Sequence, residues 1–260
     1  MPERRKWAVS MVRSLIFYVV FYVNTAVFLI LGSPLLLGPR RWAMAGLAAH
    51  AYASIWWMRM ICGTRLEVRG RENLPKGAAI IASKHQSAWD TFGLIPLTRD
   101  PAMIMKQELL SLPLYGWFSR KFEMIPVRRD LGPTALRQMA REAAKRAAQG
   151  RDIVIFPEGT RRPPGAPPDY RPGVILLYEA LGIPCVPVAL NSGYFWPRHS
   201  IMRRPGTIIV EFLPAIPPGL PRAEFKALLQ DRVESATARL FPQDGASSGA
   251  AEKSVSRMKT

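Results

Sequence analysis

The chain is 260 residues long and 48% hydrophobic, which supports one α/β domain of about 200 residues plus an appendage and excludes a chain that is disordered throughout. Its two cysteines, Cys62 and Cys185, are far apart in apolar surroundings, which argues against a disulfide framework or a zinc site and fits a reducing compartment. Lys and Arg outnumber Asp and Glu by 36 to 19, a net charge of +17 that draws polyanions: nucleic acid, anionic lipid heads or phosphorylated substrates.

The basic residues are spread along the chain, so the block expected of a nucleic-acid tail is missing. From Ser14 to Leu37 the chain reads "SLIFYVVFYVNTAVFLILGSPLLL", without a charge. A helix of this length can cross a hydrocarbon core of ~30 Å. It is too long for the apolar core of a cleaved signal, and "LGPRRWA" offers no small-residue cleavage site. Arg4, Arg5, Lys6 and Arg13 precede it and Arg40 and Arg41 follow, so charge gives no orientation. The next run, "WAMAGLAAHAYASIWWMRMIC", carries His50 and Arg59, and Trp56 and Trp57 suit a membrane interface. It reads as an amphipathic helix folding back on the first. A two-helix hairpin, a monotopic anchor and a single span all remain open at this point.

The expected organisation is membrane-anchoring helices over 1–62, an α/β domain over 63–242 and a disordered, Gly/Ser-rich tail over 243–260. Seven strand-like runs follow residue 63: "RLEVRG", "AAIIASK", "PAMIMK", "FEMIPVRR", "DIVIFPEG", "PCVPVALN" and "TIIVEFL". Helix patterns lie between several of them. The clearest runs from Pro133 to Gln149, with Leu136, Ala140, Ala143 and Ala147 on one face, Pro133 at its start and Gly150 at its end. Others are "VILLYEAL" and Arg222–Leu240. This alternation predicts an α/β fold: a mostly parallel or mixed sheet flanked by helices, preceded by the two-helix membrane-associated segment.

Open α/β sheets bind ligands at the carboxyl ends of their strands. Unusual polar residues fall there repeatedly: His85 after "AAIIASK", Arg128 and Arg129 after "FEMIPV", "PEGTRR" after "DIVIF", and Asn191 after "PCVPVAL". His85 and Asp90 are the strongest chemical pair. If a helix or tight turn begins at Ser87 their side chains meet, and the aspartate holds the imidazole in one tautomer. No G-x-S-x-G elbow is present, so the pair points to general-base activation of a substrate hydroxyl rather than a covalent acyl-enzyme. The competing reading is a capping or core histidine beside a solvated aspartate. In "FPEGTRR", Pro157 and Gly159 shape a turn, Glu158 accepts hydrogen bonds, and Arg161 and Arg162 are fork donors for phosphate. A solvated surface turn is the alternative. Lys106 closes a strand and either joins this cluster or is a surface lysine.

These residues resemble a known family. "HQSAWD" is similar to the H-x-four-D motif of the glycerolipid acyltransferases, "FPEGTR" to their third motif, "MIPVRR" to the second and "VPVAL", with Pro187, to the fourth. The motifs stand in the family's order over roughly residues 65 to 215, and the two-helix N-terminus resembles bacterial members. Within the family the chain looks most like the 1-acyl-glycerol-3-phosphate acyltransferases. One departure is that Arg128 fills a slot often acidic in the second motif, with Arg129 in the arginine slot.

The resemblance implies transfer of a fatty acyl group from acyl carrier protein or coenzyme A to the sn-2 hydroxyl of lysophosphatidic acid, giving phosphatidic acid. It implies His85 as base and Asp90 as its orienter. Arg128, Arg129 and Arg161 would grip the acceptor's phosphate, with Lys106 nearby. Glu158, with Gly159 and Thr160, would position the glycerol end or the motif loop. No metal or cofactor is needed, no nucleic acid is a partner, and the expected place is the cytoplasmic face of a bacterial inner membrane. Other acceptors, such as lyso-ornithine lipid or glycerol-3-phosphate, stay open. So do a hydrolase using the same dyad on water and a membrane-tethered basic binding protein, although the sequence lacks a helix-turn-helix, an RNA-binding aromatic strand and a zinc pattern.

Overall fold

Each of the seven apolar runs forms a strand, and together they make one sheet. The computed structural model describes residues 2–128 and 132–241, so Arg129 and the expected tail 243–260 lie outside the described residues. The strands are β1 (Thr64–Arg69), β2 (Ile80–Ser83), β3 (Ala102–Lys106), β4 (Ile125–Val127), β5 (Ile153–Ile155), β6 (Cys185–Leu190) and β7 (Gly206–Phe212). Their spatial order is β1-β7-β6-β2-β5-β3-β4. All neighbours run parallel except β6 and β7. The sheet is therefore mixed. β2 sits at its centre, its register fixed by Ile80 opposite Ile153 of β5 and Cys185 of β6.

β2, β5 and β6 are buried along their whole length, which is why they read as unbroken apolar runs. Alternate residues feed two cores. Ile81, Val154 and Val186 face one, with Trp89, Phe92, Ala51, Met58 and Phe17. Ile80, Ala82, Ile153, Ile155 and Cys185 face the other. There they meet helices α5 (Gly132–Ala147), α6 (Pro172–Leu181) and α8 (Arg222–Arg239). On α5 the fully buried positions are Ala135, Met139, Ala140 and Ala143, with Leu136 and Ala147 only half-buried. The stripe is turned slightly from the expected one because α6 lies against it at Gly173, where Met139 and Leu136 reach the backbone. Three short helices lie at strand ends: α3 (Trp89–Gly93), α4 (Tyr115–Lys121) and α7 (Ser192–Phe195).

The N-terminus forms a hairpin of α1 (Pro2–Leu31) and α2 (Arg40–Cys62). Asn24, polar inside an apolar run, places its amide nitrogen 3.0 Å from both Ser54 Oγ and His50 Nδ1 of α2. α2 then enters β1 through Gly63, whose φ of 73° is the left-handed turn a glycine tolerates. Ala51, Ser54, Met58 and Cys62 are buried, so α2 covers the sheet as well as packing on α1. The other side of the hairpin is bare. Leu15, Val19, Val23, Val27 and Ile30 of α1 and Trp42, Trp56 and Met60 of α2 are exposed, and Val9–Leu31 is long and apolar enough to cross a membrane. An apolar surface of this extent has the character of one that meets lipid, in keeping with membrane association of the protein.

A buried arginine ties the hairpin to the far edge of the sheet. Arg151 has no exposed surface. It donates to the carbonyl oxygens of Asp100 (3.0 Å), Pro101 (3.1 Å) and Phe122 (2.8 Å), and to Glu123 Oε2 at 3.2 Å. Arg40 of α2 forks onto the Asp100 carboxylate at 2.7 and 2.6 Å. Burial pulls the Arg151 pKa down to about 10, with Asp100 and Glu123 opposing it. Arg151→Met, which roughly keeps the volume and removes the charge, is expected to lower unfolding free energy by about 3–5 kcal/mol, because the buried carbonyl oxygens of Pro101 and Phe122 lose their donor. Arg69→Met, at an exposed pair with Glu67, should cost less than about 1 kcal/mol. Urea unfolding of the detergent-solubilised proteins measures both, and equal effects would contradict this account.

Candidate active site

The carboxyl end of β2 delivers His85 between the ends of β5 and β6. After His85 the chain turns sharply. Ser87 Oγ accepts the Trp89 N–H at 3.1 Å, which starts α3 and brings Asp90 back toward the imidazole. Asp90 is fully buried. Its Oδ2 accepts the N–H groups of Gln86 (2.7 Å) and Ser87 (2.9 Å) and lies 3.0 Å from His85 Nδ1. Its Oδ1 accepts the Ser192 hydroxyl. Oδ2 of Asp90 is an acceptor facing the ring, and we assign the His85 proton to Nδ1 on that side. Nε2 is then the free lone pair. The His85 ring stacks on Phe156, with centroids 4.0 Å apart at 20°, and its side chain keeps 12% exposure, so it is held yet reachable.

A second polar cluster fixes the loop after β5. Glu158 is buried; its Oε1 accepts Lys84 Nζ at 2.8 Å and its Oε2 accepts the His85 N–H at 3.3 Å. Burial pushes the Glu158 carboxyl up, and the Lys84 ammonium opposes that shift. Lys84 also bridges to Glu234 of α8 at 2.8 Å, which in turn accepts the Tyr170 hydroxyl at 3.1 Å. The Arg162 backbone N–H donates to the His85 carbonyl at 2.8 Å. Gly159 turns the loop with φ of 64°. Both oxygens of Glu158 are thus engaged within the protein, and its contacts tie the motif loop to the backbone of His85.

The remaining sequence candidates are distributed unevenly. Arg161 is half-buried and lines a groove beside Ala88, while Thr160 is exposed. Lys106 ends β3, exposed and paired with Glu108 at 3.0 Å. Arg128 follows β4, exposed, at the edge of the sheet, and Arg129 is outside the described residues. β2, β5 and β6 therefore bring their polar ends together, and β3 and β4 carry Lys106 and Arg128 toward one side. Asn191 does not face the dyad. Its side chain holds the Leu240 carbonyl at 2.9 Å and the Ile209 N–H at 2.8 Å. The next residue, Ser192, supplies the contact to Asp90. Ser192, Lys84, Gln86, Tyr170 and Glu234 were not singled out from sequence. Lys84 had a signal, a lysine between a buried strand and His85; Glu234 had none.

The chemistry this permits is specific. His85 Nε2 can take a proton from a hydroxyl, and the Asp90 carboxylate stabilises the imidazolium that results. The Ser192 hydroxyl is turned to Asp90 and the Ser87 oxygen accepts the Trp89 N–H, so neither is aligned with Nε2 as a nucleophile. Both cysteines are free and buried, and Cys185 stands at the start of β6, the end away from the site.

Comparison with known proteins agrees with this geometry. Residues 65–191, which include the four motifs, match the Acyltransferase family model. Over 163 residues the chain is 38% identical to the 1-acyl-sn-glycerol-3-phosphate acyltransferase of Pseudomonas aeruginosa, covering 63% of each chain. Over 181 residues it is 30% identical to the Homo sapiens 1-acyl-sn-glycerol-3-phosphate acyltransferase beta, covering 67% of this chain and 65% of that one. These matches span slightly less than two thirds of the relatives' lengths. The crystal structure of the 1-acyl-sn-glycerophosphate (LPA) acyltransferase PlsC from Thermotoga maritima shares the fold, with a TM-score of 0.75 over 89% of this chain and 97% of that one at 21% identity. By matched sequence over residues 65–191 and by motif order, the chain carries an acyltransferase-family domain.

Proposed function

We propose that the protein moves a fatty acyl group from a thioester, on acyl carrier protein or coenzyme A, to the sn-2 hydroxyl of lysophosphatidic acid. The observation that carries this reading is the His85–Asp90 contact at 3.0 Å, with no nucleophile among the described residues aligned beside it. The acceptor is argued from the names of the two relatives, and the lipid-contacting hairpin supports an acceptor that resides in the bilayer. In the reaction, His85 Nε2 takes the proton as the acceptor oxygen attacks the thioester carbonyl. The tetrahedral intermediate collapses, the C–S bond breaks, and the imidazolium returns the proton to the leaving thiolate. The ester and free thiol balance the step without a metal or bound cofactor. Arg161 on the Gly159–Thr160 turn would meet the acceptor's phosphate, with Lys106, Arg128 and Arg129 as cations on the β3–β4 side. The catalytic domain, taken as residues 63–242, would sit on the cytoplasmic face of a bacterial inner membrane.

Detergent-solubilised wild type and His85→Ala, given labelled acyl thioester, test this. The expected outcome is phosphatidic acid from lysophosphatidic acid with wild type only. Product solely with lyso-ornithine lipid or glycerol-3-phosphate would keep the mechanism and move the acceptor. Free fatty acid without any acceptor would indicate a hydrolase, and full activity of His85→Ala would overturn the role given to the dyad.

The carboxylate's own neighbours generate a graded prediction. Asp90→Asn puts an NH2 group where N–H donors converge and should lower kcat by about 10⁴-fold. Ser192→Ala removes one donor and should lower it about tenfold, the effect of roughly 1.4 kcal/mol. Both variants should leave the KM for the thioester near that of wild type. If Ser192→Ala and Asp90→Asn were equally damaging, the hydroxyl would have a role beyond holding Asp90.

A further inference from the structure

Beyond the family-matched stretch, the chain after α7 folds back against α1 and builds a second polar feature. Residues 196–203 form a loop closed from within by Arg203, which is only 5% exposed. Its Nη1 donates to the carbonyls of Ser200 (2.7 Å), Ile201 (3.0 Å) and Met202 (3.2 Å), and its guanidinium carbon lies 4.2 Å from the centre of the Trp196 ring. Its Nε is buried without a partner. At the loop's tip His199 holds φ at 64°, a left-handed conformation that a non-glycine residue keeps only when its surroundings impose it. α1 is pinned to the same loop. Ser14 Oγ accepts the Arg203 N–H at 2.8 Å, and Phe17 and Phe21 meet Trp196 edge-on at 5.4 and 5.3 Å.

Between α1 and this loop lies a groove of about 300 Å³. Tyr18 and Tyr22 of α1 form one wall, Arg198 and Arg203 stand on the other, and Arg161 and Ala88 lie within it. Among the described residues that line it there is no Asp or Glu. Arg198 also donates to the Arg161 carbonyl at 2.8 Å, which sets the two arginines side by side. Ala88 stands between His85 and Asp90 in the motif loop, so the groove connects the lipid-facing side of α1 with the loop that holds the dyad.

We propose that this groove seats the phosphate-bearing head of the lysolipid acceptor, with Arg198 joining Arg161 on the phosphate and Tyr18 and Tyr22 flanking the glycerol and the start of the acyl chain. The proposal rests on the acyl-transfer reading above and adds residues outside the matched stretch 65–191. Guanidinium forks suit a phosphate, and with no carboxylate among the described lining residues their charge is not neutralised within the groove. The ligand is assigned as a lipid because the groove's outer wall is α1. Tyr18 and Tyr22 are exposed among Leu15, Val19 and Val23, so they border the surface that meets lipid. A bilayer-resident molecule reaches the groove by sliding along that helix, whereas the phosphates of a water-soluble donor gain nothing from an apolar wall.

The test is Arg198→Ala beside Arg198→Lys, since Arg198 is exposed and its loss should not unfold the protein. For Arg198→Ala the KM for lysophosphatidic acid should rise about tenfold or more, the usual loss for one charge-assisted contact, with the KM for the thioester unchanged. The lysine variant should recover part of the loss. In parallel, binding of lysophosphatidic acid and of monoacylglycerol to His85→Ala protein, with and without Arg198→Ala, is read by tryptophan fluorescence. Arg198 should favour the phosphate-bearing lipid about tenfold. This arm separates the two readings, because it needs no turnover: if wild type transfers no acyl group yet Arg198 still selects the phosphate, the groove stands and the proposed reaction fails. An unchanged lysophosphatidic acid KM together with unchanged selectivity would overturn the groove. A rise confined to the thioester KM would overturn it in favour of a donor site.

Discussion

The site depends on burying one carboxylate and satisfying it. Asp90 has no exposed surface, and a carboxyl group there is tolerable only because donors surround it. Those donors come from two places in the chain: the turn after β2, through the Gln86 and Ser87 N–H groups and His85 Nδ1, and the turn after β6, through Ser192. The carboxylate thereby joins two adjacent strand ends and fixes the imidazole between them. Gln86 repeats the same link, its side-chain oxygen accepting the Gly193 N–H at 3.1 Å. On the other side of β2, Lys84 and the His85 N–H draw in Glu158 from β5. The imidazole is held at Nδ1 and across the face of Phe156, and it keeps 12% exposure through which a substrate can reach it.

The N-terminal hairpin belongs to this arrangement. Ser14 bonds the 196–203 loop, Asn24 bonds α2, and Arg40 reaches the Asp100 carboxylate. One face of α1 is therefore protein-bound, and the other is left for lipid. On the proposed reading, a helix with an exposed apolar face that also walls a cationic groove beside the dyad would give a bilayer substrate a path along an apolar surface. The excess of basic residues has a local expression here, in arginines that gather where a phosphate would come to rest.

How much of this was legible in the sequence follows from the range of each interaction. The strands were readable because sheet centres covered on both faces leave unbroken apolar runs. His85 and Asp90 were readable because they sit five residues apart and the turn between them is local. Ser192 was not, since it meets Asp90 from 102 residues away, and Glu234 reaches Lys84 from 150 residues away on a helix where it is one of several charged residues. Asn191 drew attention as a polar strand end, yet its neighbour makes the contact to the site, because successive residues leaving a strand point in different directions. A lysine at a strand end resembles a solvated one until the fold surrounds it with carboxylates, as it does Lys84. Hairpin and single span stayed undivided for a similar reason: hydropathy reports the composition of a helix, and only the contacts of Ser14, Asn24 and Ser54 show which face is turned inward.

The central claim is that the acyl group passes directly to the acceptor oxygen, with His85 as base and no covalent enzyme intermediate. The most direct measurement is a rapid quench of wild-type protein with labelled acyl thioester and no acceptor, followed by denaturation and a count of label bound to protein. The account predicts no protein-bound label and no burst of free thiol. Stoichiometric acyl-protein, lost when Ser192 or Ser87 is replaced, would contradict it, because a hydroxyl assigned here to holding Asp90 or starting α3 would then be the nucleophile.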